Sequence, residues 1–468
     1  MAKKNFFENF ENLIPTLMQG TKIPSLAIGV IKNGKLIYSK AFGSKFLKQN
    51  EPATVDTLYG IGSCTKSFTT LAILQLAEQG KLDIDDPVSK YLPIKIGKEE
   101  NPITIRHLMS HSSGLPSLGA ATILIKRLSS DEETFVPLST KDEMLLLVNN
   151  AQNELADLPG KRYFYNNSAF ALLGFIIEEI TGITYDEYIK TNILAPLEMS
   201  RSTFLKEEFE KDKDIMTAYF TDKDSKFKDT LHPFDKLIYA AGGMLSSVTE
   251  LSNYLIMCLN KGKYKNKEII KPKLLKQWWE PQIEVMPGFY GKQQYALGWA
   301  TLEDFFGETI IHHGGSTGVS SAFLAMIPEK ELGVIVLGNV GNSQGGLLSQ
   351  IIFASLLGKN PQTDLPVLRL ETKLSKFAGE YQTYKGITKI TIAKQGLILV
   401  GKSEENPNTN TPIVPESDAL DDYQFYIPTG DRKFPVYFEE NTETGEIDFY
   451  YERTRFHKIG SIKKNKNK

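Results

Sequence analysis

The chain switches between two hydrophobic rhythms. In residues 5–19, Phe6, Phe10, Leu13, Ile14 and Leu17 recur at helical spacing and predict an opening amphipathic helix. Strand-like apolar runs follow in SLAIGVIKNGKLIYSKAFG (25–43), folded about Asn33-Gly34, a dipeptide that tolerates the positive φ of a tight hairpin. Helical spacing returns at 67–80, with Phe68, Leu71, Leu74, Leu76 and Ala77, and again at 102–115, 168–182 and 240–259. Ser-Ser-Gly stops the second of these, Gly182 marks the end of the third, and 240–259 reads as a glycine turn followed by a Ser/Thr-capped helix. Strands resume at 294–300, 307–315, 320–328 and 332–339, the last two joined as a hairpin through Glu329-Lys330-Glu331, and a helix over 345–358 closes the series. Strands, helices, strands and a helix predict an α/β (α+β) domain. One antiparallel sheet is assembled from both ends of the domain, with helices against it.

The stretch KNPQTDLPVLRLETKL (359–374) is polar and contains prolines, so it reads as a linker. Beyond it the period changes. YKGITKITIA, GLILVGK, YQFYIP, FPVYFEE and EIDFYYER are short, β-branched or aromatic, and separated by turn residues, which predicts a small antiparallel β-barrel or sandwich. The expected layout is residues 1–360, a linker over 361–373, and a β-domain over 374–468. A chain of 468 residues exceeds what one core covers, in keeping with more than one domain.

Charge narrows the partners. The formal net charge is −2, and the one basic run, Lys463-Lys464-Asn465-Lys466-Asn467-Lys468, reads as a solvating end, so no nucleic-acid partner is expected. Two cysteines, Cys64 and Cys258, are too few for a disulfide framework. Asn and Glu break the apolar stretches of the first twenty residues, no secretory core is evident, and no run reaches membrane-spanning length. The expectation is a cytoplasmic protein with no membrane partner.

Three polar motifs carry candidate chemistry. Ser63-Cys64-Thr65-Lys66 opens the helix of 67–80, and positions three apart share a helix face, so Lys66 can reach the Ser63 hydroxyl. A serine attacks only when a base takes its proton, and lysine serves as that base only if burial or nearby cations lower its pKa. The same spacing recurs at Ser225/Lys228 and Ser461/Lys464, and alone it reads first as a helix cap beside a solvated lysine. Tyr165-Asn166-Asn167 offers a phenol that can shuttle a proton and an amide that can hold the lysine. Tyr264-Lys265-Asn266 repeats the spacing in a charged loop. In IHHGGSTG (311–318), Gly314 and Gly315 let a substrate backbone lie against the strand, His313 is a proton donor or acceptor near neutral pH, and the N–H of Ser316 can join that of Ser63 as an oxyanion hole. His107 and His111 stand four apart as two zinc ligands would, but no Glu follows His107, and no metal or other cofactor is expected. Trp278 and Trp279 suit either core or pocket.

Taken in order, Ser63-x-x-Lys66, Tyr165-x-Asn167 and His313-Gly314-Gly315 resemble the motifs of the serine β-lactamase and penicillin-binding-protein superfamily, specifically its class C-like branch. The flanks ITIRHLMSHSSGLP, PGKRYFYNNSAFALLGFIIE and AAGGMLSSVTEL look like signatures of the same family, over roughly residues 10–355. The resemblance implies a β-lactamase/transpeptidase-like fold, with Ser63 as acylated nucleophile, Lys66 and Tyr165 as proton-transfer partners, and Asn167 as orienting group. His313 stands where many members have lysine, a form commoner among esterase- and peptidase-like members, so β-lactam hydrolysis is the less expected activity. Asn166 replaces a frequent serine. FAGEYQTYKG (377–386) and the strands after it are similar to lipocalin-like domains that some peptidase-like members carry. The expectation is a serine hydrolase forming an acyl-enzyme on small peptides, some with D-residues, or on carboxylic esters, with a homo-oligomer possible in principle. The alternative is a protein of the same fold that binds an acyl group or ligand without turnover.

Overall fold

The computed structural model describes residues 2–129, 136, 138–221, 226–285, 291–405, 408–417 and 424–461. The chain divides into two compact units, Met1–Phe353 and Ala354–Lys468. Ser225 and Lys464, members of the two repeated Ser-x-x-Lys pairs, and the basic end at 463–468 lie outside the described residues.

In the first unit, helix α1 (Ala2–Thr21) buries Phe10 and Ile14. Asn33 and Gly34 take φ of 51° and 68°, and their turn folds β1 (Ser25–Lys32) onto β2 (Lys35–Phe46). A short β3 (Glu51–Pro52) borders β2. After a run of helices the chain returns as β4 (Ile283–Glu284), β5 (Gln293–Tyr295), β6 (Ala300–Phe305), β7 (Glu308–Ser316), β8 (Ser321–Ile327) and β9 (Leu332–Gly338). β9 pairs antiparallel with β1, Leu26 opposite Gly338, and this closes a nine-stranded sheet in the order β4-β5-β6-β7-β8-β9-β1-β2-β3. The sheet is therefore built from both ends of the unit, as the pattern predicts. Every residue of β9 is buried and β1 is nearly so, which is why both read as unbroken apolar runs rather than alternating ones.

The helices between the sheet's two halves carry the rest of the core. α2 (Thr65–Glu78) and α4 (Asn167–Thr181) lie within a residue or two of their predicted spans, α3 (Ile105–Met109) is much shorter, and α5 (Val248–Leu259) fills the part of 240–259 that follows the glycine turn, capped by Ser247. Gly29 lets α5 close on the sheet: a Cβ there would sit 2.6 Å from Val248 Cγ1. Trp278 is fully buried and donates Nε1–H to Thr70 Oγ1 at 2.8 Å, so it belongs to the core. α6 (Gly345–Leu356) ends the series.

Two predicted elements differ. The strand read over 294–300 breaks at Gly298 (φ 77°), where Ala296 N–H donates to Trp299 O. A Cβ on Gly298 would meet Thr70 Oγ1 at 2.6 Å and Lys66 O at 3.1 Å, so this turn braces the first turns of α2. The stretch read as a linker over 361–373 is largely helical, with α7 running Pro366–Phe377. Pro366 sits at the helix start, where its missing N–H is harmless, and Leu370, Leu374 and Phe377 share one face. That face packs into the core of the second unit.

The second unit is a closed eight-stranded antiparallel barrel. Its strands are β10 (Gly379–Gln382), β11 (Lys389–Gln395), β12 (Ile398–Ser403), β13 (Thr411–Pro415), β14 (Gln424–Thr429), β15 (Arg432–Glu440), β16 (Ile447–Tyr451) and β17 (Thr454–Gly460). The sequence pattern finds five of the eight. β10, β13 and β17 escape it because they are short, carry prolines (Pro412 and Pro415), or are mostly polar. No single helix among the described residues is long and apolar enough to cross a membrane.

Candidate active site

The two-residue strand Tyr59–Gly60, paired with Leu245–Ser246, leads through the tight turn Gly62–Cys64 into α2. Gly62 has φ 51°, and a Cβ on it would lie 2.5 Å from Ser316 N. A Cβ on Gly315 would lie 1.9 Å from Ile61 O and 2.9 Å from Ser63 N. Two glycines thus let the turn before α2 seat directly against the end of β7, with the amides of Ser63 and Ser316 beside that contact. β6 pairs with β7 only as far as His312, while β8 follows it to Ser316. Among the described residues, Gly314–Ser316 therefore keeps one open backbone edge.

Lys66 is fully buried on the same helix face as Ser63. Its Nζ lies 3.0 Å from Ser63 Oγ, 2.7 Å from Asn167 Oδ1 and 2.6 Å from the Ala241 carbonyl, above the rings of Tyr165 and Phe170. These partners are a hydroxyl, an amide oxygen and a peptide carbonyl. Burial holds the ammonium well below the usual lysine range, and the Cys64 thiol opposes this only weakly. Two of the three partners can only accept. A neutral amine meets them with its two N–H bonds and turns its lone pair to the Ser63 O–H.

Tyr165 shares the site. Burial raises its phenol above the ordinary tyrosine range, and a hydrogen bond with the Ser63 side chain pulls the other way, so the phenol is neutral near pH 7. Asn166, whose role the sequence leaves open, is buried and ties three segments together. Its Oδ1 accepts from Ala169 N at 3.3 Å to cap α4, its Nδ2 donates to Leu115 O and Pro116 O, and its N–H donates to His111 Nδ1 at 3.1 Å. Asn167 then begins α4 with its Oδ1 on Lys66. Further backbone bonds, Phe164 N to His111 O and Gly160 N to Ser112 O, hold the loop of 111–114 to the loop before Tyr165.

Sequence reasoning does not find His111 or Tyr295 as parts of this site. His111 is buried with φ 56°, and its ring lies 4.2 Å from that of Tyr165 and 4.9 Å from that of Tyr295. His107, the other half of the considered zinc pair, spends its Nδ1 on a capping box with Thr104. Cys64 donates its thiol to His313 O at 3.2 Å, and burial pushes its pKa up to about 12, which leaves it unreactive.

His313 differs from expectation. It is 5% exposed, and burial first, then the nearby Lys66, pushes its pKa down to about 3 rather than leaving it near neutrality. Both ring nitrogens are engaged, Nε2 with Tyr295 Oη at 2.8 Å and Nδ1 with Gly314 O at 2.7 Å. The ring is neutral across physiological pH. Meanwhile the repeated spacing Tyr264-Lys265-Asn266 sits on a surface hairpin, with Lys265 paired to Glu198.

Comparison with known proteins bears on this arrangement. Residues 10–353 match the family described as Beta-lactamase. The chain belongs to the β-lactamase family. Residues 361–457 match a second family, the Pab87 octamerisation domain. A solved structure, the octameric penicillin-binding protein homologue from Pyrococcus abyssi, aligns at 36% identity and TM-score 0.89, over 97% of this chain and 100% of that one. A class C β-lactamase aligns at 21% identity and TM-score 0.63, over 76% of this chain and 98% of that one, a likeness of fold. Among curated members, Protein flp of Staphylococcus aureus (strain MW2) is 28% identical over 348 residues, 72% of this chain. The match spans 63% of that relative's length. A putative D-alanyl-D-alanine carboxypeptidase of Salmonella heidelberg (strain SL476) is 25% identical over 359 residues, 68% of this chain and 78% of its own. The fold expected from the β-lactamase family resemblance is the one observed.

Proposed function

We propose that the protein is a serine hydrolase that works through an acyl-enzyme on small peptides, some with D-residues, or on carboxylic esters. One observation carries this reading: a fully buried lysine whose Nζ bridges Ser63 Oγ, Asn167 Oδ1 and a peptide carbonyl. Burying an amine is costly, and a base of lowered pKa is what a serine nucleophile needs.

In this scheme the substrate carbonyl lies at the open edge of Gly314–Ser316. Ser63 Oγ bonds to the carbonyl carbon as Lys66 takes its proton, and the Ser63 and Ser316 N–H groups receive the negative charge that forms on oxygen. The bond to the leaving group then breaks, with Tyr165 and Lys66 passing the proton to the departing nitrogen or oxygen. Water adds to the ester and releases the acid by the same steps reversed. His313, neutral and held on both nitrogens, supports the strand end and does not exchange protons with the substrate. No step calls on a cofactor. The name of the Salmonella relative supports a peptide substrate.

We assign the chemistry to residues 1–360 and assembly to the β-domain of 374–468, and take the protein to be a cytoplasmic homo-oligomer. The octamerisation-domain match and the octameric relative support that assembly. Intact-mass analysis after incubation with a fluorophosphonate, with peptide mapping, tests the chemistry. One adduct on Ser63, absent from a folded Ser63→Ala variant, is expected. No adduct on the folded wild type would overturn the hydrolase in favour of a protein that binds without turnover.

A further inference from the structure

We infer that Tyr295 is a positioning residue of this site: its hydroxyl fixes the tautomer and orientation of His313, and through His313 the strand end that faces Ser63. The inference rests on the serine-hydrolase reading for its kinetic consequences, but its geometry stands apart from that reading.

The bonding leaves one arrangement. Gly314 O, 2.7 Å from His313 Nδ1, can only accept, so Nδ1 carries the proton. A neutral ring then has its lone pair on Nε2, and Tyr295 O–H, 2.8 Å away, must donate to it. Tyr295 is 2% exposed, and a buried phenol without a partner would be costly, so the pair serves both side chains. Tyr295 ends β5 and His313 lies on β7, with β6 between them: Tyr295 stands opposite Ala300, and Ala300 opposite His312. The phenol therefore reaches across a strand to hold the ring.

What the ring fixes is next to the chemistry. His313 O accepts a hydrogen bond from the thiol of Cys64, the residue after Ser63, and the Gly314 carbonyl accepts one from the ring's Nδ1–H. Gly315 and Ser316 follow directly, packed against Ile61–Ser63. The other face of Tyr295 packs on His111 and Tyr163, ring centroids 4.9 and 5.5 Å away, and His111 holds the backbone of Asn166. One side chain thus touches the support of the second motif and the third motif together.

Removing the hydroxyl has a signature that lost packing lacks. The groups facing His313 are Tyr295 from β5, Tyr165 from the loop before α4, Lys66 and Cys64 at the start of α2, His111 after α3, and His312 on its own strand. None of these is a carboxylate. Without the phenol, Nε2 has no partner in either state: the neutral ring loses its donor, and an imidazolium would lose the oxygen that could accept from its Nε2–H, so nothing pins the ring to one tautomer.

The test is the second-order rate of Ser63 labelling by a fluorophosphonate between pH 4.5 and 8, for wild type, Tyr295→Phe, His313→Gln and the double variant. Tyr295→Phe is expected to slow labelling by about tenfold across this range, the effect of one buried hydrogen bond. The double variant is expected to be no slower than His313→Gln alone, because Tyr295 acts through His313. Labelling unchanged in Tyr295→Phe, or losses that multiply in the double variant, would overturn the inference. Should Tyr295→Phe not fold, the ¹⁵N shifts of His313 in histidine-labelled wild type decide. Nδ1–H with bare Nε2 down to pH 5 is expected, and Nε2–H or imidazolium overturns it. A wild type that does not label at all sinks the hydrolase reading, while the ¹⁵N experiment still tests the Tyr295–His313 pair.

Discussion

Tyr165-Asn166-Asn167 and Tyr264-Lys265-Asn266 share a spacing, and the protein treats them in opposite ways. The first precedes and opens α4, with Asn166 as cap and Asn167 Oδ1 on a buried amine. The second spans the turn of a two-stranded hairpin, with Lys265 at φ 51°. Their lysines differ just as sharply. Lys66 touches no carboxylate among its hydrogen-bond partners, and burial drives its pKa down. Lys265 is paired with Glu198, and that hydrogen bond raises its pKa. A lysine becomes a base where water is removed and no anion is supplied; on a surface beside a glutamate it stays a cation. Spacing nominates residues, and desolvation selects among them.

Three substitutions press on this contrast from its two ends. Lys66→Met preserves length and apolar fit, and should lower Ser63 labelling by about a hundred- to ten-thousand-fold, the usual contribution of a positioned base. A loss below threefold would mean that Ser63 is activated by something else. At the small end, Lys265→Ala and Asn266→Ala should change labelling and stability by less than about twofold in equilibrium or rate, as exposed positions usually do. A tenfold loss from either would show that the hairpin of 263–268 takes part in the site.

Much of the architecture was legible because the physics is local. Asn33-Gly34 demands a hairpin turn, and the buried strands β1 and β9 read as continuous apolar runs. The three motifs could be picked out in order along the chain, and the fold brings them to one place. What the sequence hides is whatever depends on contact between distant segments. Gly298 looks like one more strand residue until α2 packs where its Cβ would be. Leu370, Leu374 and Phe377 look like stray apolar positions in a polar stretch until the barrel supplies a core for them. His313 reads as a neutral-pH titrator from its type alone, and only its burial and two partners reveal otherwise. Tyr295, in a short strand with no motif around it, gives no local signal.

The central claim is that Lys66 is neutral when Ser63 reacts, and the pH dependence of Ser63 labelling tests it most directly. Because the unprotonated amine is the active form and burial lowers its pKa, the rate should rise with pH through one ionisation and then stay flat. That ionisation should lie well below the ordinary lysine value of about 10.4, and it should be missing in Lys66→Met. A rate still climbing as steeply through about pH 10 as a solvated lysine would dictate, or an ionisation that persists unchanged in Lys66→Met, would contradict the account.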